Sequence, residues 1–98
     1  MPNKNYLRGY SKEREVVNEF RKKGFVAYRS AGSHSIIDVT IHFPEYVLVL
    51  QLKRVKKKGY NFDKDLETLR KMKTPAHKEL WVYRDYEKRG NKWQKIIL

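Results

Sequence analysis

Hydrophobic and polar residues alternate most clearly in the middle of the chain, over residues 37–41 and residues 48–53. Short apolar runs of this length, bounded by turn-forming residues, are typical of β-strands. Residues 43–45 between the two runs include a proline and predict a turn. The pattern therefore predicts a β-hairpin in which the two runs lie side by side.

Each predicted strand of this hairpin carries polar residues where a buried strand would have none. Asp38 interrupts the first strand, and Gln51 and Lys53 interrupt the second. Because successive side chains point to opposite faces, Gln51 and Lys53 project together on the side opposite the leucines of the same strand. The hairpin brings Asp38 close to both. A carboxylate, an amide oxygen and an ammonium group so placed can hold a hard divalent cation beside a phosphate, which indicates a metal-dependent nuclease.

A helical pattern precedes the hairpin. Ser11 is expected to cap its amino end and Gly24 to follow its carboxyl end, where three basic residues suit the helix dipole. Val16, Val17 and Phe20 recur at helical spacing and form one apolar stripe. The segment is therefore predicted to be an amphipathic helix with a core-facing stripe.

Glu13 lies near the middle of that stripe, three residues before Val16 and four before Val17. A carboxylate centred on a core-facing stripe is costly unless a positive group or a metal meets it. The alternative is an acid that is favoured by the helix dipole and remains partly solvated. The residues alone leave both interpretations open.

The remaining elements support this centre. They are a strand over residues 25–30, a polar loop over 31–35, a second helix, and two strands over 80–83 and 93–97 around a turn at 90–91. Asp63 is expected to cap the second helix, with Leu66, Leu69 and Met72 on its buried face, and the helix stops before Pro75. The order α-β-β-β-α-β-β predicts an α/β fold, a mixed sheet flanked by helices.

The composition narrows the range of partners. The 98 residues fit one domain spanning 1–98, and 23 Lys and Arg against 11 Asp and Glu give a net charge of +12. Such a field attracts polyanions, of which nucleic acid is the commonest. No apolar run is long enough to span a membrane and the first residues lack an apolar signal segment, so a cytoplasmic, intracellular protein is expected. The absence of cysteine excludes disulfides and thiol chemistry.

Five of the six residues from 53 to 58 are basic. The members of this run beyond Lys53 are Arg54, Lys56, Lys57 and Lys58. A charge run of this kind is often a solvated loop. Here it leaves directly from the strand that carries Gln51 and Lys53, so phosphate contact is expected for at least part of it.

Other kinds of site find little support. His34, His42 and His77 are scattered without metal-binding spacing, which argues against zinc. No Walker loop, dinucleotide fingerprint or serine-histidine-acid arrangement is present. A basic RNA-associated protein is a further alternative, although the aromatic-rich signature of RNA-binding modules is absent.

The conjunction of a helix acid, an aspartate, a hairpin and Gln-x-Lys resembles the PD-(D/E)xK nuclease superfamily and, more specifically, archaeal-type Holliday-junction resolvases. The likeness lies in residues 8–15, 24–33, 37–39 and 51–53, and covers residues 8 to 58. It implies a restriction-endonuclease-like core and an Mg²⁺- or Mn²⁺-dependent endonuclease. It also implies branched or junction DNA as the substrate and a homodimer as the active form.

The resemblance also implies roles for individual residues. Glu13 becomes the helix carboxylate that orients the attacking water or a second cation, and Asp38 becomes the central metal ligand. Gln51 takes the place of the second acid, and Lys53 takes the place of the active-site lysine. A backbone carbonyl, assigned to Leu52, completes the metal ligands. The positions that lie near the DNA backbone in such enzymes are Arg8, Arg14, Arg29 and Ser33.

The sequence departs from the resolvase pattern at Gln51, where glutamate is usual. Gln-x-Lys does occur in active members of the superfamily, including Mrr-like restriction enzymes and a transposon end-cutting nuclease. The alternative function is a non-catalytic basic DNA-binding module on a nuclease fold. The expected dimer surface is the second helix or the late strands around Trp81 and Trp93, although both tryptophans are expected to lie largely in the core or on the sheet.

Overall fold

The structure is a computed structural model that describes the backbone of residues 4–30 and 36–98 and the side chains of residues 11–30 and 36–98. The elements are α1 Lys4–Lys22, β1 Val26–Arg29, β2 Val39–His42, β3 Val47–Val55, α2 Asp63–Lys71, β4 His77–Arg84 and β5 Trp93–Ile97. This order confirms the predicted succession α-β-β-β-α-β-β. No helix of the described residues is both long enough and apolar enough to cross a membrane.

The strands form one mixed sheet in the order β1-β2-β3-β4-β5. All neighbouring pairs are antiparallel except β3 and β4, which run parallel. Parallel neighbours need a crossover connection, and α2 provides it between β3 and β4. The predicted hairpin is confirmed as β2 and β3, closed by a hydrogen bond of 2.9 Å from the Phe43 N–H to the Tyr46 carbonyl.

The two helices lie on opposite faces of the sheet. The side chains buried with α1 are Val16, Val17, Ala27, Val39, Ile41, Leu48, Leu50 and Trp81. Those buried with α2 are Val55, Leu69, Leu80 and Val82. Because β3 sends its leucines toward α1, the alternating Gln51 and Lys53 lie on the α2 side of the sheet, as predicted.

The amino end of α1 differs from the prediction. The helix begins at Lys4, so Ser11 lies inside it and is not an N-cap residue. Residues 4–10 contain no proline, and Gly9 and Ser11 inside a helix cost only about 1 and about 0.5 kcal/mol relative to alanine, which does not end a helix of this length. The carboxyl end agrees with the prediction. Gly24 has a φ of +93°, its N–H donates to the Arg21 carbonyl, and the Phe25 N–H donates to the Phe20 carbonyl, which is the Schellman arrangement.

The cap of α2 is also different. The helix begins at Asp63, and the Asp63 N–H donates to Oδ1 of Asn61 over 2.8 Å. The capping oxygen therefore comes from Asn61, because an asparagine side chain readily bonds the backbone two residues on. Asp63 instead lies in the first turn, where its charge suits the helix dipole. The predicted buried face is confirmed, since Leu69 is fully buried and Leu66 and Met72 pack around it.

Candidate active site

Asp38 lies at the point where the ladder between β2 and β3 ends. The last pair of that ladder is Val39 with Leu50. The Asp38 N–H donates to the Leu50 carbonyl over 2.8 Å, and Oδ2 of Asp38 accepts from the Leu52 N–H over 2.7 Å. The register therefore places Asp38 opposite Gln51. Since the N–H and C=O of one strand residue point to the same side, the Leu52 carbonyl is directed toward this edge of β3 as well.

Two carboxylates come together at this edge, one from α1 and one from the start of β2. Burial raises the pKa of Asp38 to about 6, the Leu52 hydrogen bond opposes that rise, and the nearby Glu13 carboxylate adds to it. Glu13 is only 20% exposed, and its Oε2 accepts from Nε of Arg29 over 2.8 Å. Of the two interpretations of Glu13, the structure thus shows the one in which a positive group meets the carboxylate.

Gln51 supplies an oxygen with no partner. Its Oε1 is buried and accepts no hydrogen bond within the part of the chain that the structure describes. Leaving such a group unsatisfied costs about 1–3 kcal/mol, so a ligand that coordinates this oxygen recovers free energy. With Asp38 and the Leu52 carbonyl, it makes an oxygen-only donor set of the kind that Mg²⁺ and Mn²⁺ prefer. Across residues 11–30 and 36–98 no three His, Cys, Asp or Glu side chains gather around one point, so this donor set carries little charge.

Lys53 meets an acid that the sequence did not single out. Its Nζ lies 3.3 Å from Oδ1 of Asp65 in the first turn of α2, and the Asp65 side chain is only 16% exposed. Asp65 is four residues before the buried Leu69 and seven before Met72, so it lies on the apolar stripe of its helix. A carboxylate on an apolar stripe is the signal that identified Glu13, and applied to α2 it would have found Asp65.

The predicted DNA contacts have different environments. Arg14 is exposed on α1, and Lys56, Lys57 and Lys58 are exposed in the loop after β3. Arg29 is drawn into the site by Glu13. Arg54 lies within β3, and its Nε donates to Oδ2 of Asp85 over 2.7 Å. The Arg8 side chain and Ser33 lie outside the described residues, as does the loop over 31–35.

The raised pKa of Asp38 predicts a dependence of stability on pH. Because the folded chain holds this proton up to about pH 6 and the unfolded chain only to about 3.8, the stability that Asp38 contributes is present below 3.8 and is lost as the pH rises through 6. Asp38→Asn keeps the shape and the acceptor for Leu52 without the charge. In EDTA, the melting temperature of Asp38→Asn is expected to exceed the parental one at pH 7.5 and to approach it at pH 4.5. If the melting temperatures of the two proteins differ by the same amount at both pH values, the difference arises from packing and not from the charge of Asp38.

Two comparisons with known proteins identify the family and the fold. Residues 4–93 match the sequence model of a family described as archaeal Holliday junction resolvase (Hjc). The fold is similar to that of Hjc, a Holliday junction resolvase from the archaeal hyperthermophile Archaeoglobus fulgidus, with a TM-score of 0.62 and 23% identity. That match covers 89% of this chain and 73% of the other. It confirms the predicted α/β fold with a mixed sheet between helices.

Proposed function

Because the chain belongs to the archaeal Holliday junction resolvase family, we propose that it is a divalent-metal-dependent endonuclease that hydrolyses phosphodiester bonds in four-way DNA junctions. The observation that carries the proposal is the buried, unpartnered Oε1 of Gln51, opposite a carboxylate whose pKa is raised. A binding module gains nothing from this pair, since an unsatisfied oxygen and a desolvated acid both destabilise the fold.

The cation is proposed to be Mg²⁺ or Mn²⁺, held by Asp38, the Gln51 amide oxygen and the Leu52 carbonyl. When bound, such a cation supplies Lewis-acid activation of the attacking water and of the phosphoryl oxygen. Its affinity is expected to be modest because Gln51 contributes an oxygen without a charge. Phosphate oxygens of the substrate are then needed as further ligands, which couples cation binding to DNA binding.

The other two residues act on the water and the phosphate. Glu13, fixed by Arg29, is proposed to orient the attacking water. Lys53 is proposed to neutralise the charge that grows on the phosphate in the transition state. In the structure its Nζ lies 3.3 Å from Asp65, so Asp65 holds the ammonium beside the site until a phosphate offers a stronger partner.

The proposed activity is tested by cleavage of a panel of labelled DNAs in Mg²⁺ and in Mn²⁺. The panel contains a four-way junction, a flap, a nicked duplex and a blunt duplex built from the same arms. We expect symmetric cuts in the junction and much slower cutting of the linear duplexes. Binding of every substrate without any cutting would favour the non-catalytic DNA-binding module. Cutting of branched and linear DNA at similar rates would support a nuclease activity but contradict selectivity for junctions.

The loop after β3 is proposed to contact the DNA backbone. Replacing Lys56, Lys57 and Lys58 with alanine should flatten the plot of log affinity against log salt, by about 0.9 for each DNA phosphate that these lysines neutralise. The control variant removes three exposed lysines near the opposite end of the sheet, Lys22, Lys23 and Lys73. Both variants lower the net charge by three. Equal slopes of log affinity against log salt for the two variants would indicate that the loop is solvated and does not contact the DNA.

The protein is proposed to act as a homodimer, since symmetric cutting of two strands needs two sites related by a two-fold axis. Trp81 cannot form the dimer surface, because it is buried beneath α1 with 5% exposure. A different surface is available on the α2 side of β1 and β2, because the side chains that pack with α2 include none from these two strands. This β1–β2 patch consists of Val26, Tyr28, Thr40 and His42. It carries no formal charge with His42 neutral, and two chains of charge +12 repel less across such a patch than elsewhere.

Light scattering at micromolar concentration, with and without a four-way junction, tests the dimer. We expect the mass of a dimer for the parental protein and of a monomer for Val26→Glu, because Val26 is 62% exposed in the patch. Ile97→Glu is the control, since Ile97 is 78% exposed on the opposite edge strand. A monomeric parental protein in both conditions would contradict the dimer. Dissociation by Ile97→Glu alone would place the interface on β5.

A further inference from the structure

Three cations surround the ring of Tyr83 near the carboxyl end of β4. Nζ of Lys12 lies 3.7 Å from the ring centroid, Cζ of Arg54 lies at 5.6 Å, and Nζ of Lys92 lies at 5.7 Å. The Tyr83 cluster is defined by these four residues. It joins α1 through Lys12, β3 through Arg54, β4 through Tyr83, and the segment just before β5 through Lys92. The negative face of the ring attracts each of these cations, yet the cations repel one another.

The positive charge of the cluster is only partly neutralised. Lys12 pairs with Glu15 at 2.8 Å and Arg54 with Asp85 at 2.7 Å. Lys92 forms no ion pair with the described residues. The Arg54 hydrogen bond lowers the pKa of Asp85, and Lys12 and Lys92 lower it further, so all three cations act on one carboxylate. The five charges sum to +1 around a half-buried aromatic ring.

The orientation of Arg54 suits an anion. Asp85 engages Nε of the guanidinium, and the Asp85 N–H donates to the Val55 carbonyl over 2.8 Å, which anchors the acid to the sheet. No described residue forms a hydrogen bond with the two terminal amino groups of Arg54. A guanidinium fixed at Nε presents these groups as a fork that matches two oxygens of a phosphate.

The cluster adjoins the candidate active site along the chain at two points. Lys12 precedes Glu13 on α1, and Arg54 follows Lys53 on β3. Consecutive Cα atoms are about 3.8 Å apart, so the two sites share the same stretches of backbone, while Lys53 and Arg54 project from opposite faces of the sheet. The Lys56–Lys58 loop continues from the same end of β3.

We propose that the Tyr83 cluster is a second phosphate site, which binds a backbone phosphodiester of the DNA strand beside the phosphate that is cut. This inference rests on the proposed function and deepens it by naming Lys12, Lys92 and Tyr83 as substrate-positioning residues. Arg54 and Lys92 contact the phosphate oxygens, and Lys12 packed on Tyr83 adds charge behind them. The site takes no part in bond cleavage. It fixes the position of the strand relative to Asp38.

Lys92→Gln tests the site by DNA binding in EDTA, where no cleavage occurs. The substitution removes the unpaired cation and leaves both ion pairs of the cluster intact. We expect about threefold to tenfold weaker binding of a four-way junction and a log-log salt slope reduced by about 0.9, the value for one phosphate. Lys95→Gln is the matched control, because Nζ of Lys95 lies 4.2 Å from the ring of Trp81 in the same kind of contact. Parental binding by Lys92→Gln, or an equal loss in Lys95→Gln, would overturn the proposal.

Neutral methylphosphonates, placed one at a time along the strand, then locate the contact. At one position near the cut the substitution should weaken binding by the parental protein and have no effect on Lys92→Gln, because the partner cation is already missing. Equal losses in both proteins at every position would overturn the proposal. The proposal would also be overturned if the position that affects the parental protein but not Lys92→Gln lay on a different arm of the junction. The phosphate would then not belong to the strand that is cut.

Kinetics separate this inference from the proposed function. If the protein cuts DNA, Lys92→Gln should raise KM by the same factor as the binding constant and leave kcat within about twofold, since the substitution weakens binding of substrate and transition state equally. An equal fall in kcat would contradict a purely positioning site. If the parental protein binds junctions without cutting them, the proposed activity fails while the binding and methylphosphonate results still decide the phosphate site.

Discussion

Asp38→Ala is expected to abolish metal-dependent cleavage, with a loss of about a thousandfold or more, while junction binding in EDTA stays close to parental. Asp38 is the only carboxylate on the central hairpin at this edge of the sheet, and Leu52 holds it there through a hydrogen bond of 2.7 Å. No other acid of the hairpin can replace it, since Glu45 lies in the turn at the opposite end. Single-turnover cleavage of a four-way junction measures the loss.

The matched control for this loss is Asp85→Ala, which removes another partly buried aspartate that accepts a hydrogen bond of the same length. We expect Asp85→Ala to keep kcat, because Asp85 contacts Arg54 of the Tyr83 cluster, which takes no part in bond cleavage. Circular dichroism checks that both variants are folded. If Asp38→Ala cuts at close to the parental rate, Asp38 does not belong to the metal centre.

Gln51→Glu is expected to tighten Mn²⁺ binding by about tenfold or more and to preserve or raise the cleavage rate. The substitution replaces a neutral amide oxygen by a carboxylate in a donor set whose other members are the Asp38 carboxylate and the neutral Leu52 carbonyl, and the affinity of such sites rises with ligand charge. In EDTA the same variant should melt at a lower temperature, because a further carboxylate then lies unneutralised beside Asp38 and Glu13.

Calorimetric titration with Mn²⁺ measures the change in affinity without any need for catalysis. Gln94→Glu is the control, since it is the same substitution at an exposed position of β5. Gln94→Glu should leave both the Mn²⁺ affinity and the melting temperature unchanged. If Gln51→Glu also leaves the affinity unchanged, the Gln51 oxygen does not touch the cation.

The hairpin and its polar residues were predictable because strand periodicity is strict. Shifting Gln51 by one position would move it to the other face of the sheet, so the alternation alone assigns it to the side away from the leucines. Once the turn was recognised, the hairpin also brought Asp38 near Gln51, and the structure supplied the register that sets the two opposite each other. Local patterns also predicted Gly24 correctly, since the positive φ at the end of α1 favours glycine.

Pairings between elements distant in sequence were not predictable. The partner of Lys53 is Asp65 on α2, and the partner of Arg54 is Asp85 directly after β4, and the α2 crossover brings both near β3. Arg29 reaches Glu13 across the packing of α1 on β1. Neither charge nor spacing specifies such pairs, because they depend on the packing of whole elements. The prediction for Ser11 was wrong for a local reason, since an N-cap residue and a tolerated serine inside a helix look alike in sequence.

The location of a bound cation tests the account most directly. Crystals of the protein grown with junction DNA and Mn²⁺ should show an anomalous peak within coordination distance of a carboxylate oxygen of Asp38 and of Oε1 of Gln51. The same peak should be absent in crystals of Asp38→Ala. A protein that cuts junctions in Mn²⁺ while its cation lies away from the Gln51 oxygen would contradict the proposed metal centre.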